Sequence, residues 1–220
     1  MARNIIDVTI KILSPIHLSS GQADVNIDSE IVHDALGFPY FPAKRFKGLL
    51  YESAVEISEM LELSGLGKDN SALIEKIFHR QSNSDVQLIV PNFFIRPLAE
   101  YEKICAEWKF LQENYSGIFT ADDVLNSFTS LRYQTKLENG IAADKSLRNL
   151  RVLDAGTEFF GQLTLLHADE KIVTLLALAI KNLSAAGTKR NRGFGQIQCT
   201  AKFGNVNSDE LVKKFFAKVA

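Results

Sequence analysis

Along the chain the apolar positions change period several times, and each change marks a predicted element. Residues 5 to 13 place Ile6, Val8, Ile10 and Ile12 on one side and Asp7, Thr9 and Lys11 on the other, the period-2 pattern of a strand with one buried face. From Ser14 to Ser29 the pattern lapses into SPIHLSSGQADVNIDS, whose small and polar residues suit an ordered loop. Loops of this length tend to be functional or disordered. A short apolar piece from Glu30 to His33 precedes a turn marked by Leu36-Gly37, Pro39 and Pro42, and Pro42 suits the first turn of a helix. That helix is expected from Ala43 to Leu63, where Phe46, Leu49, Leu50, Ala54, Ile57, Met60 and Leu61 form an apolar stripe beside a Glu-rich face. The middle predicts a short helix over 71–80, a strand from Asp85 to Ile95, a helix near 99–113 and another from Ala121 to Asn126. Residues 128–137 and 148–154 flank an Asn139-Gly140 step, a strong turn signal between extended segments, so an extended hairpin is expected. A strand over 157–167, an apolar helix over 169–186, a strand from Gly195 to Phe203 and a terminal helix complete the chain.

A strand and helix near the start, with a strand-helix-strand unit near the end, is the element order of an α+β, ferredoxin-like sheet carrying inserted segments. The expected division is one domain, with its core at about 1–63 and 157–205, an inserted helical segment at about 64–127 and the hairpin at about 128–154. The length of 220 residues suits one domain with an insertion, since domains commonly hold roughly 100 to 200 residues. With 46% hydrophobic and 23% charged residues, disorder is excluded as the default. Two cysteines, Cys105 and Cys199, without CxxC spacing, exclude a disulfide framework and a cysteine zinc site. Neither a leader pattern nor a run of about 20 apolar residues is present, so a cytoplasmic, membrane-free protein is expected.

Formal net charge is −1, so any nucleic-acid binding must rest on local clusters of Lys and Arg. The clearest cluster is GTKRNRGFG, residues 187–195. Its glycines, Gly187 and Gly193 among them, permit close backbone approach, and Lys189, Arg190 and Arg192 carry charge in a stretch free of acids from Lys171 to Gly204. Phosphate contacts need that combination, because neighbouring carboxylates would cancel the field. A solvated turn is the plainer alternative. A nucleotide-binding loop would follow a strand and open a helix, whereas this one follows a helix and opens a strand, and GxxxxGK is absent. A second cluster, Lys44, Arg45 and Lys47 with Gly48 in FPAKRFKGLL, places cations at a helix N-terminus, against its dipole, which suggests an anionic partner. The hairpin adds Arg132, Lys136, Lys145, Arg148 and Arg151. Asp28 and Asp34 flank a short apolar piece and could hold Mg²⁺ with phosphates and waters completing the shell, although surface aspartates are common. His17 in the same loop could serve as a general base or a phosphate donor, or be structural; His33, His79 and His167 show no ligand spacing.

Three segments together resemble the RAMP superfamily of CRISPR-associated proteins, in particular the repeating backbone subunit of type III effector complexes of the Csm and Cmr kind. They are PIHLSSGQADVNIDSEIVHDALGFPYFPAKRFKGLL, similar to that family's loop and its helix-opening motif; LRYQTKLENGIAADKSLRNLRVLDAGTEFFGQL, similar to its thumb hairpin and following strand; and GTKRNRGFGQI, its C-terminal glycine-rich loop. The family's usual GSSLKG stands here as AKRFKG, which keeps Lys47 and Gly48, and the stretch 64–127 carries no family motif. The resemblance implies an RRM-like core, copies stacked as a filament, guide RNA along the palm, target RNA paired to it and further effector subunits as neighbours. It implies RNA contacts at His17, Ser19, Ser20, Lys44, Arg45, Lys47, Gly48, Arg132, Gly187, Lys189, Arg190, Arg192 and Gly193. It also implies cleavage of target RNA, as an endoribonuclease, through Asp28 with Mg²⁺ or another divalent metal. Two alternatives stay open: a structural RNA-binding subunit without activity, and a metal-independent guide-processing nuclease using His17.

Overall fold

The computed structural model describes residues 3–23, 26–66, 70–78 and 85–219. Residues 79 and 80 of the expected second helix, His79 among them, lie outside the described residues. The first strand, β1 (Arg3–Ile12), is central. It pairs antiparallel with β9 (Glu158–Leu166) on one side and with β10 (Ile197–Phe203) on the other. Ile6, Val8, Ile10 and Ile12 are all essentially inaccessible, so the alternation of the sequence is the alternation of the sheet.

Beyond β9 the sheet continues with β3 (Gln87–Ile89) and β4 (Phe93–Phe94), and β2 (Tyr40–Phe41) closes that edge by pairing with β4. Numbering only the core strands in chain order, the spatial order is 4-1-3-2, all antiparallel, which is the ferredoxin-like arrangement. β11 (Val206–Asn207) adds to the far edge of β10. The single strand expected from Asp85 to Ile95 is two short ones because Pro91, which lacks an N–H, interrupts the ladder to β9. The stretch 64–127 is consequently not wholly an insertion, since its strands supply the second core position of the sheet.

Helix α1 (Ala43–Leu63) forms where its stripe is expected and buries Phe46, Leu50, Ala54 and Leu61. It packs beside α5 (Glu170–Asn182), and Ser53 Oγ donates to the Ala179 carbonyl at 2.7 Å between them. The Asp169 carboxylate caps α5 by accepting from Ile172 N at 2.8 Å. α5 ends four residues short of the expected 186, because the chain turns extended to pair Ala185 with Gln196 and close the base of the glycine-rich loop. α2 (Ser71–Phe78) covers the far end of α1, and α6 (Ser208–Val219) packs on α5.

Helices α3 (Leu98–Asn114) and α4 (Ala121–Phe128) form a smaller apolar cluster around Phe38, Tyr101 and Val124. α4 leads directly into β5 (Thr129–Gln134), which pairs with β8 (Arg148–Leu153) as the stem of the hairpin. At its tip, β6 (Leu137–Glu138) and β7 (Ile141–Ala142) enclose the Asn139-Gly140 turn, both residues at positive φ as a two-residue primed turn requires.

Candidate nucleic-acid interface

The loop that follows α5 is closed at its base by Ala186 N donating to Gly195 O (2.8 Å) and Ile197 N donating to Ser184 O (2.9 Å). Between these pairs the chain makes one 3₁₀ turn, Arg190–Arg192, flanked by Lys189 and Gly193 in the left-handed region. The loop rests on the segment after β1: Thr188 N donates to His17 O (3.2 Å) and Gly195 N to Pro15 O (2.9 Å). Two glycines make that approach possible. A Cβ on Gly187 would lie 2.8 Å from His17 O and from the Ile16 side chain, and one on Gly195 would lie 2.0 Å from Ala186 O.

Two concavities flank the loop and share Thr188. One, of about 450 Å³, lies towards the hairpin and is lined by Ser19, Asp28, Ser29, Arg148, Asn149 and Lys189, with His17 at its floor. The other, of about 290 Å³, lies towards α1 and is lined by Lys44, Arg45, Gly48, Glu52, Gly187 and Arg190. The sequence clusters at 44–48 and 187–190 thus meet across one groove, although 138 residues of chain lie between them at their nearest. Arg45 donates to the Ser19 carbonyl, Lys189 to Gln134 Oε1 on the hairpin, and Arg190 lies 3.5 Å from Glu52. All three pairs are at least partly exposed, so water or a phosphate can replace the partner at small cost.

Lys47 and Arg132 line neither concavity. Arg132 is exposed on the hairpin stem, Lys47 is half-buried on α1, and Arg192 and Gly193 stand exposed on the loop's outer turn. Ser20 is occupied locally, with its Oγ donating to Glu30 O (3.1 Å) and accepting from Gln22 N. Asp34 is structural: its Oδ1 accepts from Leu36 N and Phe38 N, and its Oδ2 accepts from Tyr101 Oη at 2.6 Å. Arg151, expected on the hairpin's positive surface, is buried instead. Its guanidinium meets Glu30 at 2.9 Å and donates to Asn126 Oδ1 and Thr129 Oγ1, tying the loop before α1 to α4 and the stem.

Asp28 sits on that loop against β8. Asn149 N donates to its Oδ2 (2.9 Å), Arg148 Nη1 to its Oδ1 (3.2 Å), and the Asp28 N–H is held by Asn149 Oδ1 (2.8 Å). These donors, the Asn149 N–H first, hold the exposed carboxyl below the usual carboxylate range, so it is ionised at neutral pH. The donor set does not fit a resident divalent metal. Both oxygens already accept hydrogen bonds, one of them from a cation, and among the described residues no three His, Cys, Asp or Glu side chains cluster in a metal-binding arrangement.

His17 is buried and both its ring nitrogens are engaged. Nδ1 lies 2.7 Å from the Arg151 carbonyl and Nε2 lies 2.9 Å from Ser29 Oγ. Burial, reinforced by the charges of Lys189 and Arg45, lowers its pKa from the ordinary histidine value. Sequence reasoning missed Ser29, Asn149 and Gln134, whose roles depend on the hairpin folding back across the loop at 14–30. Arg148 was legible only as one cation of a ribbon.

Fold and loop together define a ferredoxin-like protein with a cationic glycine-rich loop beside its first helix and a long hairpin between α4 and β9. The RAMP superfamily model matches residues 9–198, and the chain belongs to that superfamily. No curated protein matches the sequence significantly. Among solved structures, a chain of the type III-B Cmr-beta complex bound to cognate target RNA is similar over 94% of this chain and 98% of its own, with 12% identity and a TM-score of 0.59. A chain of the same complex in its apo state is similar over 91% and 97%, with 11% identity and a TM-score of 0.59. Such identities establish a shared fold. Among the described residues no helix is long and apolar enough to cross a membrane.

Proposed function

We propose that this protein is an RNA-binding backbone subunit of a type III CRISPR effector complex, with guide RNA along the groove between α1 and the glycine-rich loop and target RNA passing the hairpin. The observation that carries this reading is the meeting of two cation clusters, Lys44 and Arg45 from one end of the chain and Lys189 and Arg190 from the other, around Thr188. A strip of donors on a glycine-bearing surface is what a phosphodiester backbone requires, and it needs no net positive charge on the molecule. One of the similar chains comes from a complex bound to cognate target RNA, which supports the same reading. Further copies of the chain and other effector subunits are its proposed neighbours.

Ultraviolet cross-linking of the purified protein to 4-thiouridine RNA, with the cross-linked peptides mapped by mass spectrometry, tests this directly. Cross-links should fall in 187–195, in 43–48 and on the hairpin stem. Cross-links confined to the exposed faces of α3 and α6 would contradict it.

A second reading adds cleavage of the bound target at Asp28, and the ionised, exposed carboxylate inside the larger concavity favours it. A divalent cation would have to arrive with the RNA, because among the described residues Asp28 is the one carboxylate that lines this concavity and Arg148 already faces it. Asp28→Ala should abolish Mg²⁺-dependent cutting of complementary RNA by the assembled complex while binding persists. Equal cutting by wild type and variant would remove the catalytic role. Use of His17 as the base of a metal-independent nuclease fits less well, because neither of its ring nitrogens is free.

A further inference from the structure

The hydrogen-bond chain through His17 fixes which way the Ser29 hydroxyl points, and with it what Ser29 can recognise. The Arg151 carbonyl, 2.7 Å from His17 Nδ1, can only accept, so Nδ1 carries the proton. The imidazole is buried beside Lys189 and Arg45, surroundings that favour its neutral form, which leaves Nε2 as an acceptor. Ser29 Oγ, 2.9 Å from Nε2, must then donate its proton inwards to the ring. Its backbone is also pinned, since Ser29 O accepts from Arg151 N at 3.1 Å. A serine hydroxyl ordinarily rotates to suit either a donor or an acceptor. Here that freedom is gone, and the oxygen presents only lone pairs to the concavity it lines.

Lys189 and Arg148 line the same concavity, and each can hold a phosphate. We propose that Ser29 is a ribose reader: its oxygen accepts a hydrogen bond from a 2′-hydroxyl of RNA whose phosphates lie against Lys189 and Arg148. The inference rests on the RNA-binding reading above and deepens it, because it assigns the discrimination of RNA from a strand without 2′-hydroxyls to one atom. The 2′-hydroxyl is the group that lets a protein distinguish the two at a given position. His17 acts through Ser29 as a positioning residue and touches no RNA.

The test compares a single-stranded RNA with the same sequence carrying 2′-fluoro at every ribose, a group that keeps the RNA-like sugar pucker but cannot donate a hydrogen bond. Affinities are measured by fluorescence anisotropy with the full chain. Wild type should prefer the RNA by about fivefold, the weight of one net hydrogen bond. Ser29→Ala should lose that preference by weakening RNA alone, with its affinity for the 2′-fluoro strand unchanged, and Ser29→Thr should restore it. Thermal melts of the three proteins check that Ser29→Ala stays folded. A Ser29→Ala protein that keeps the wild-type preference overturns the proposal, as does a wild type that binds both strands equally. If wild type binds neither strand, the RNA-binding reading falls and takes this one with it.

Discussion

Arg151 and His17 show how two residues that look like RNA ligands in the sequence serve to hold the residues of the proposed RNA groove in place. Arg151 is buried against Glu30 and also serves Asn126 and Thr129, so removing it strands a carboxylate in the interior. Arg151→Ala should therefore lower unfolding stability by about 3–5 kcal/mol in urea titration; a loss below 1 kcal/mol would show that the pair is not buried in solution. His17 makes a pH-dependent contribution of defined sign. Its folded pKa lies below its unfolded value because of burial, so the unfolded chain binds the proton more readily. Stability should be full above the ordinary histidine value of 6.5 and decline as pH falls through it, until the folded-state pKa is passed. His17→Asn should flatten that decline. The sequence made the charge of these residues legible and not their burial, because Glu30 and Arg151 meet only when the hairpin base folds onto the loop 121 residues earlier.

Among the elements, those with an uninterrupted local pattern were legible almost residue for residue: α1, whose stripe and Pro42 start agree, and β1, whose alternation is strict. The strand next to β9 was harder, since Pro91 cuts it into pieces of three and two residues that only tertiary pairing stabilises. The end of α5 was misplaced because an apolar, alanine-rich run favours helix, and closure of the distant loop base overrides that propensity. Within α1, Gly48 is a test of function against stability. Among the described residues nothing stands within 4 Å of where its Cβ would be, and it lines the smaller concavity. Gly48→Ala should raise thermal stability by up to about 1 kcal/mol while weakening RNA binding, because the added methyl lies on the proposed backbone path. Unchanged RNA affinity would move the path off this face of the helix. Gly195→Ala has no such room, with Ala186 O 2.0 Å from the new carbon, and should open the base of the loop, read as lost amide protection at Ala186 and Ile197 in hydrogen exchange.

At the scale of the whole molecule the charges nearly cancel, with 25 basic and 26 acidic residues, yet Lys44 and Arg45 meet Arg190 where α1 and the glycine-rich loop face each other. The hairpin beside that groove exposes Tyr133, Leu137, Ile141 and Leu147 as well as the cations Arg132 and Arg148, and among these four apolar side chains Tyr133 alone has a ring on which a base could stack. If the glycine-rich loop binds the RNA backbone as proposed, the salt dependence of binding reports on it most directly. For single-stranded RNA each phosphate contact contributes about −0.7 to the slope of log affinity against log salt concentration. Replacing Lys189, Arg190 and Arg192 together by alanine should make that slope shallower by about 2, three contacts' worth, and weaken binding irrespective of sequence. A triple variant with the wild-type slope would show that the loop does not touch RNA.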